Sequence, residues 1–165
     1  MNTYEEGLQF FIVRNRLRLP GLNQHLIVFD IDKDDRRKIF HDYLTKAEWR
    51  KFDDIIHDAG DSFYDYVLCD SIVFTPKQLY EFLKGHNGKI LIFDNDTVIN
   101  KKGLLEIIEA GICSDPDTCY KWPVHLDGNP EFTFEGIIII LTGYSKDDFA
   151  KKKQFSHLVR DCVKA

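Results

Sequence analysis

The run Gly136–Thr142, GIIIILT, is the segment that most restricts how this chain can fold. Four isoleucines and a leucine in succession leave no polar side for water, so as a strand the run must be covered on both faces. Strands of that kind belong to parallel sheets, whose crossover helices shield them. Three further short apolar runs, Leu26–Ile31, Tyr66–Cys69 and Lys89–Phe93, alternate with amphipathic segments. That alternation predicts an α/β fold with Gly136–Thr142 near the centre of the sheet.

The intervening segments carry helix punctuation. Ile39, Phe40, Tyr43 and Leu44 share a face, a T-x-x-E capping box at Thr45 and Glu48 restarts the helix, and Phe52, Ile55 and Ile56 extend it to Ala59-Gly60. Thr75-Pro76-Lys77-Gln78 is a second capping box with proline at the first helical position, and Gly88 closes the helix that carries Leu79, Phe82 and Leu83. Asn100 is expected to cap a helix containing Leu104, Leu105, Ile107 and Ile108, stopped at Gly111. Ser145 caps the last helix, with Phe149, Phe155, Leu158, Val159 and Cys162 on its apolar side. The proline- and glycine-containing stretch from Cys113 to Glu135 reads as loop, with a hairpin between Tyr120–Val124 and Glu131–Phe134.

Composition bounds the classes of function. A chain of 165 residues, 44% hydrophobic and 30% charged, fits one globular domain over 1–165, with residues 1–24 as a basic arm. Its net charge of −5 disfavours a general nucleic-acid binder but leaves local basic patches open. Cys69, Cys113, Cys119 and Cys162 form no C-x-x-C pair and have no histidine at zinc spacing, so they read as free thiols of a reducing compartment and no metal is expected. The longest apolar run, Ile137 to Leu141, is too short to span a bilayer, and a cytoplasmic location is expected. The six histidines are dispersed, and each is expected in a surface or capping role.

The loop after the first apolar run has the layout of a phosphate-cradling turn and the wrong chemistry for one. Such a turn reads G-x-x-x-x-G-K-[ST], with glycines letting backbone N–H groups close on phosphate. Here Asp30 and Asp35 stand at the glycine positions, Arg36 at the lysine and Arg37 at the hydroxyl. With Asp32 and Asp34, four carboxylates would repel a triphosphate.

The order of elements nevertheless resembles the core of an AAA+ ATPase of the phage and helicase type, over about residues 23 to 163. Lys89–Asp96 (KILIFDND) looks like a Walker B strand, Phe132–Tyr144 (FTFEGIIIILTGY) is similar to a sensor-1 strand, and Phe155–Cys162 (FSHLVRDC) looks like the helix that carries an arginine finger, which would be Arg160. The resemblance implies a three-layer, P-loop-NTPase-like, mostly parallel sheet. It also exposes what is changed: Asn95 stands where an acid would activate water and Thr142-Gly143 stand at the sensor position, and no helical lid is expected. The expectation is a pseudo-ATPase with no catalytic residues, no nucleotide-binding residues and no cofactor. Its role would be that of a phage-encoded or accessory regulator engaging a host machine such as the transcription apparatus.

An alternative enzyme reading starts from Asp94-Asn95-Asp96-Thr97-Val98, which fits the D-x-D-x-[TV] loop of haloacid-dehalogenase-like phosphatases, with the strand ending at Thr142 as the second motif. Asp94 would then be the nucleophile, Asp96 the acid/base and magnesium the charge clamp. A calcium loop over Asp30, Asp32 and Asp34 fails, because Asp35 and His41 occupy positions that need glycine and glutamate.

Charge is distributed unevenly. Residues 30–70 hold 12 acids and 7 bases, whereas 146–165 hold 6 bases and 3 acids. Arg14, Arg16 and Arg18 would lie on one side of an extended segment. Together with Lys151, Lys152, Lys153 and Arg160 they are the candidate interaction residues, for a protein partner first and for nucleic acid through the basic clusters second. No membrane partner is expected.

Overall fold

A computed structural model describes residues 25–32, 66–69, 74–94, 96–118 and 120–164. The N-terminal arm and the helix expected between Ile39 and Gly60 lie outside them. The elements run β1 (Leu26–Val28), β2 (Tyr66–Cys69), α1 (Pro76–Gly85), β3 (Ile90–Phe93), α2 (Thr97–Asn100), α3 (Lys102–Ile112), β4 (Ile137–Leu141), α4 (Lys146–Lys151), a 3₁₀ turn (Lys153–Phe155), α5 (Ser156–Asp161) and β5 (Val163–Lys164). All strand pairs are parallel, in the order β2-β3-β4-β1-β5. The chain therefore leaves β1 for the far edge and returns one strand at a time, finally crossing β1 to reach β5.

The central place expected for the isoleucine run is where β4 sits, in register with β1 on one side (Leu26↔Ile139) and β3 on the other (Leu91↔Ile138). All five of its residues are buried. Ile138 and Ile140 share a face with Ile27, Leu91, Phe93 and Cys69, and this face packs against Leu79 and Leu83 of α1, Leu104, Ile107 and Ile108 of α3, and Leu158 of α5. Leu26, Val28, Ile92, Ile139 and Leu141 point the other way and are buried as well. At about 1.5–3 kcal/mol for each large side chain fully removed from water, the strand contributes a large share of the driving force for folding.

Local signals account for the helices. Thr75 Oγ1 accepts from Gln78 N–H at 3.2 Å while Gln78 Oε1 accepts from Thr75 N–H at 2.9 Å, so the capping box of α1 forms as expected. Ser145 caps α4 by accepting from Asp148 N–H at 3.1 Å. Glycine is required at 136, just before β4, because a Cβ there would lie 2.2 Å from the Lys89 carbonyl oxygen, the same oxygen that accepts from Ile137 N–H at 3.0 Å.

Several expectations are corrected. Asn100 ends the short helix α2 instead of capping α3, whose N-cap position is Lys101 without a side-chain bond. The Asn100 amide oxygen instead accepts from Tyr144 Oη–H at 2.8 Å, and tertiary bonding overrides the local capping preference. Gly111 lies within the last turn of α3, where a small residue allows close approach to Ile138. The expected hairpin reduces to one isolated bridge, Val124↔Phe132. The final helix breaks into α4, the 3₁₀ turn and α5, and strand β5 was not anticipated.

His25 departs from the surface role assigned to the histidines. It is 4% exposed, and its Nδ1 accepts from Ile138 N–H at 3.0 Å, which keeps the ring neutral. Burial, reinforced by the Lys121 charge and opposed by Asp161, lowers its pKa from 6.5 to about 3. An unfolded chain would take up this proton near pH 6.5, whereas the folded one refuses it until about pH 3. The stabilising contribution is therefore complete above pH 6.5 and is lost as pH falls through that window. His25→Asn, which retains an acceptor for Ile138, is expected to flatten the loss of stability between pH 7 and 5 by on the order of 1–2 kcal/mol in denaturant unfolding. A variant that loses stability as steeply as the parent would contradict this.

Candidate functional site

Ligand sites in open parallel sheets lie at the carboxyl ends of the strands, where the strand order reverses. In this chain that place is the crevice between β1 and β4, with β3 on the far side of β4. Asp30 and Asp32 follow β1, Asp94 and Asp96 follow β3, and Thr142-Gly143 follow β4. The resemblance and the phosphatase reading both assign their chemistry to these positions, and the fold does bring the three strand ends side by side.

Hydrogen bonds join the described ends of β1 and β4 across this crevice. A regular parallel ladder would have Asp30 N–H donate to the Thr142 carbonyl. Instead Ile31 N–H takes that carbonyl at 3.1 Å, and Asp30 N–H donates to the Tyr144 carbonyl at 3.0 Å, while Thr142 N–H donates to Val28 at 3.0 Å. The slip of one residue is a bulge, and it forces Asp30 into the left-handed region at φ 57°. Aspartate tolerates that region better than most residues but less well than glycine.

Side chains lock the other half of the edge. Thr142 is fully buried, and its Oγ1 accepts from Tyr144 N–H at 3.1 Å. Gly143 N–H donates to Asp96 Oδ2 at 3.4 Å. The Tyr144 ring meets Phe155 at 5.7 Å and Phe149 at 6.1 Å, with Lys152 Nζ 5.7 Å from its centroid. Asp94 is only 7% exposed. Beside it the buried Cys69 thiol is pushed above its usual range, first by burial and then by the Asp94 charge, so it stays protonated and unreactive.

Of the residues expected to form the phosphate turn, Asp30, Ile31 and Asp32 are described, whereas positions 33–37 and Asn95 lie outside the described residues. The amides of Asp30 and Ile31 already serve carbonyls, and a carboxylate stands where the first glycine of a cradle would be. Among the described residues no three His, Cys, Asp or Glu side chains converge to hold a metal ion.

Among the described basic candidates, Lys151–Lys153 and Arg160 lie at opposite edges of the sheet. Lys152 lies over Tyr144 at the carboxyl edge, with Lys151 and Lys153 exposed beside it. Arg160 ends α5 at the opposite, amino edge. There Nε and Nη2 donate to Asp161 at 2.9 and 2.8 Å, Nη2 donates to the Ser114 carbonyl at 3.1 Å, and the guanidinium lies 5.9 Å from the Trp122 ring. Arg14, Arg16 and Arg18 lie outside the described residues.

The amino edge also holds residues that the sequence reading passed over. Lys121 turns inward, donating to the Gly111 carbonyl at 3.1 Å and to the Phe134 carbonyl, and burial lowers its pKa. Cys113 is buried against Asp161, and burial together with that carboxylate pushes its thiol up to about 12. Cys69, Cys113 and Cys162 are buried and form no disulfide among the described residues. The available signal was weak: one lysine between two aromatics in a loop.

The bulge yields a direct test. Asp30→Val, β-branched in the left-handed region, is expected to cost about 1–2 kcal/mol in chemical denaturation, whereas Asp30→Gly stays within about 0.5 kcal/mol of the parent because strain relief offsets glycine's extra chain entropy. Equal losses in both variants would refute the left-handed assignment. No known protein family, curated protein or solved structure matches the chain, so any functional reading rests on these residues alone.

Proposed function

We propose that this chain is a degenerate AAA+-like domain, a three-layer P-loop-NTPase-like scaffold without catalysis, that acts by binding another macromolecule. The observation that carries the reading is the consumption of the Asp30 and Ile31 amides by the Tyr144 and Thr142 carbonyls. A phosphate cradle needs such N–H groups directed at its ligand. The strand order supports the scaffold, since it sets the end of β1 beside β4 and the end of β3 on its other flank. The role suggested is that of a regulator, of phage or accessory type, whose partner is a protein of a host machine such as the transcription apparatus. Lys151, Lys152 and Lys153 remain available for contact with acidic groups.

Millimolar Mg-ATP is expected to leave the melting temperature unchanged and to be hydrolysed no faster than without the protein. Binding at a hundredfold excess over Kd would stabilise the fold by about 2.7 kcal/mol, which for a domain of this size is several degrees. A shift of that size would overturn the reading.

The placement of Asp94 and Asp96 next to Thr142 and Gly143 favours a second reading, the magnesium-dependent phosphatase. The burial of Asp94 and the use of Asp96 by Gly143 N–H weigh against it. No hydrolysis of p-nitrophenyl phosphate with magnesium is expected; turnover abolished by Asp94→Asn would establish the enzyme instead.

A further inference from the structure

The stretch from Cys113 to Trp122 folds back on itself at the amino edge of the sheet. Trp122 N–H donates to the Cys113 carbonyl at 3.0 Å and Asp115 N–H to the Tyr120 carbonyl at 2.8 Å, on either side of an antiparallel Ser114↔Lys121 bridge. Extended backbone alternates its side chains. Lys121 points inward, so Tyr120 and Trp122 fall together on the opposite side, and residue 115 lies across from Tyr120 on that same side.

On this side the chain shows which chemistry it uses to hold a cation. The Arg160 guanidinium lies 5.9 Å from the Trp122 ring and is clasped by the Asp161 carboxylate at 2.8 Å, with His157 edge-on to the indole at 5.1 Å. One step along, Tyr120 offers a second ring, 77% exposed. Asp115 is beside it, its carboxylate oriented by N–H bonds from Asp117 (2.8 Å) and Thr118 (3.1 Å), and Asp117 is exposed. Acids outnumber the outward bases here: Asp115 and Asp161 lie near Arg160, Glu109 lies near His157 with Glu106 beside it, and Asp117 is exposed, while the Lys121 ammonium is directed inward.

We propose that Tyr120, flanked by Asp115 and Asp117, is a docking point for an arginine or lysine side chain of a protein partner. The ring face attracts the cation and the carboxylates complete the pairing, as Trp122 and Asp161 do for Arg160 within the chain. The surplus of carboxylates repels a phosphate backbone, so a nucleic acid is not the occupant. Aromatic and arginine contacts of this kind dominate binding at many protein interfaces. The proposal rests on the reading that the chain acts by binding, and it specifies the chemistry of the partner.

The test is an NMR titration of the isotopically labelled full chain with a tetra-arginine peptide and, separately, a tetra-glutamate peptide. Tetra-arginine is expected to shift the amides of 115–122 and the Trp122 indole N–H saturably, with the shifts lost in Tyr120→Ser, reduced in Asp117→Asn and in Tyr120→Leu, and suppressed by salt; tetra-glutamate leaves them in place. Tyr120→Leu keeps the bulk and removes the ring, which separates docking from damage to the loop. Shifts confined to other acidic segments, shifts that survive Tyr120→Ser, or no shifts at all would overturn the proposal. Nucleotide stabilisation or phosphate-ester turnover would refute the non-catalytic reading without moving these resonances, so the two failures are distinguishable.

Discussion

The structure is organised around a strand that has no side to offer water. Once Ile137–Leu141 is extended, its backbone groups need partners on both edges and its side chains need cover on both faces. β1 and β3 provide the first, and α1, α3 and α5 provide the second on one face. Other elements are subordinate to this demand. Gly136 is small because the Lys89 carbonyl comes close, and His25 is neutral because its ring accepts the Ile138 amide. Gly111 lets α3 settle on Ile138.

The same strand determines what happens at the carboxyl edge. β4 lies between β1 and β3, so its own continuation, Thr142–Tyr144, lies between the ends of those two strands. Those residues bond in both directions, to Asp30 and Ile31 on one side and to Asp96 and Asn100 on the other. Tyr144 is then fixed from below by Phe149 and Phe155. Among the described residues, the ends of β1, β3 and β4 are thus knit to one another at this edge.

Much of this was legible in the sequence where periodicity and burial coincide. The four apolar runs became parallel strands, and Thr75 and Ser145 became caps, because apolar pattern and capping chemistry are local. β5 escaped notice because two residues carry no periodicity, and its pairing with β1 depends on a contact far away in the chain. Asn100 misled for a related reason: as a helix cap it was plausible, but a tyrosine 44 residues away claimed its oxygen. The aspartates at the strand ends were found easily. That Asp30 would adopt a left-handed conformation and divert its amide to Tyr144 could not be read from composition, since it follows from a one-residue slip between strands.

The inward turn of Lys121 settles more than the position of one ammonium. By satisfying the Gly111 carbonyl in the last turn of α3 and the Phe134 carbonyl, it anchors the parity of the loop it belongs to. Insertion or deletion of a single residue between Ser114 and Lys121 would exchange inside for outside, setting an aromatic ring against bare carbonyls and turning the lysine into water. Changes in loop length are therefore expected to be tolerated in steps of two, so natural variation there is constrained by count before it is constrained by identity.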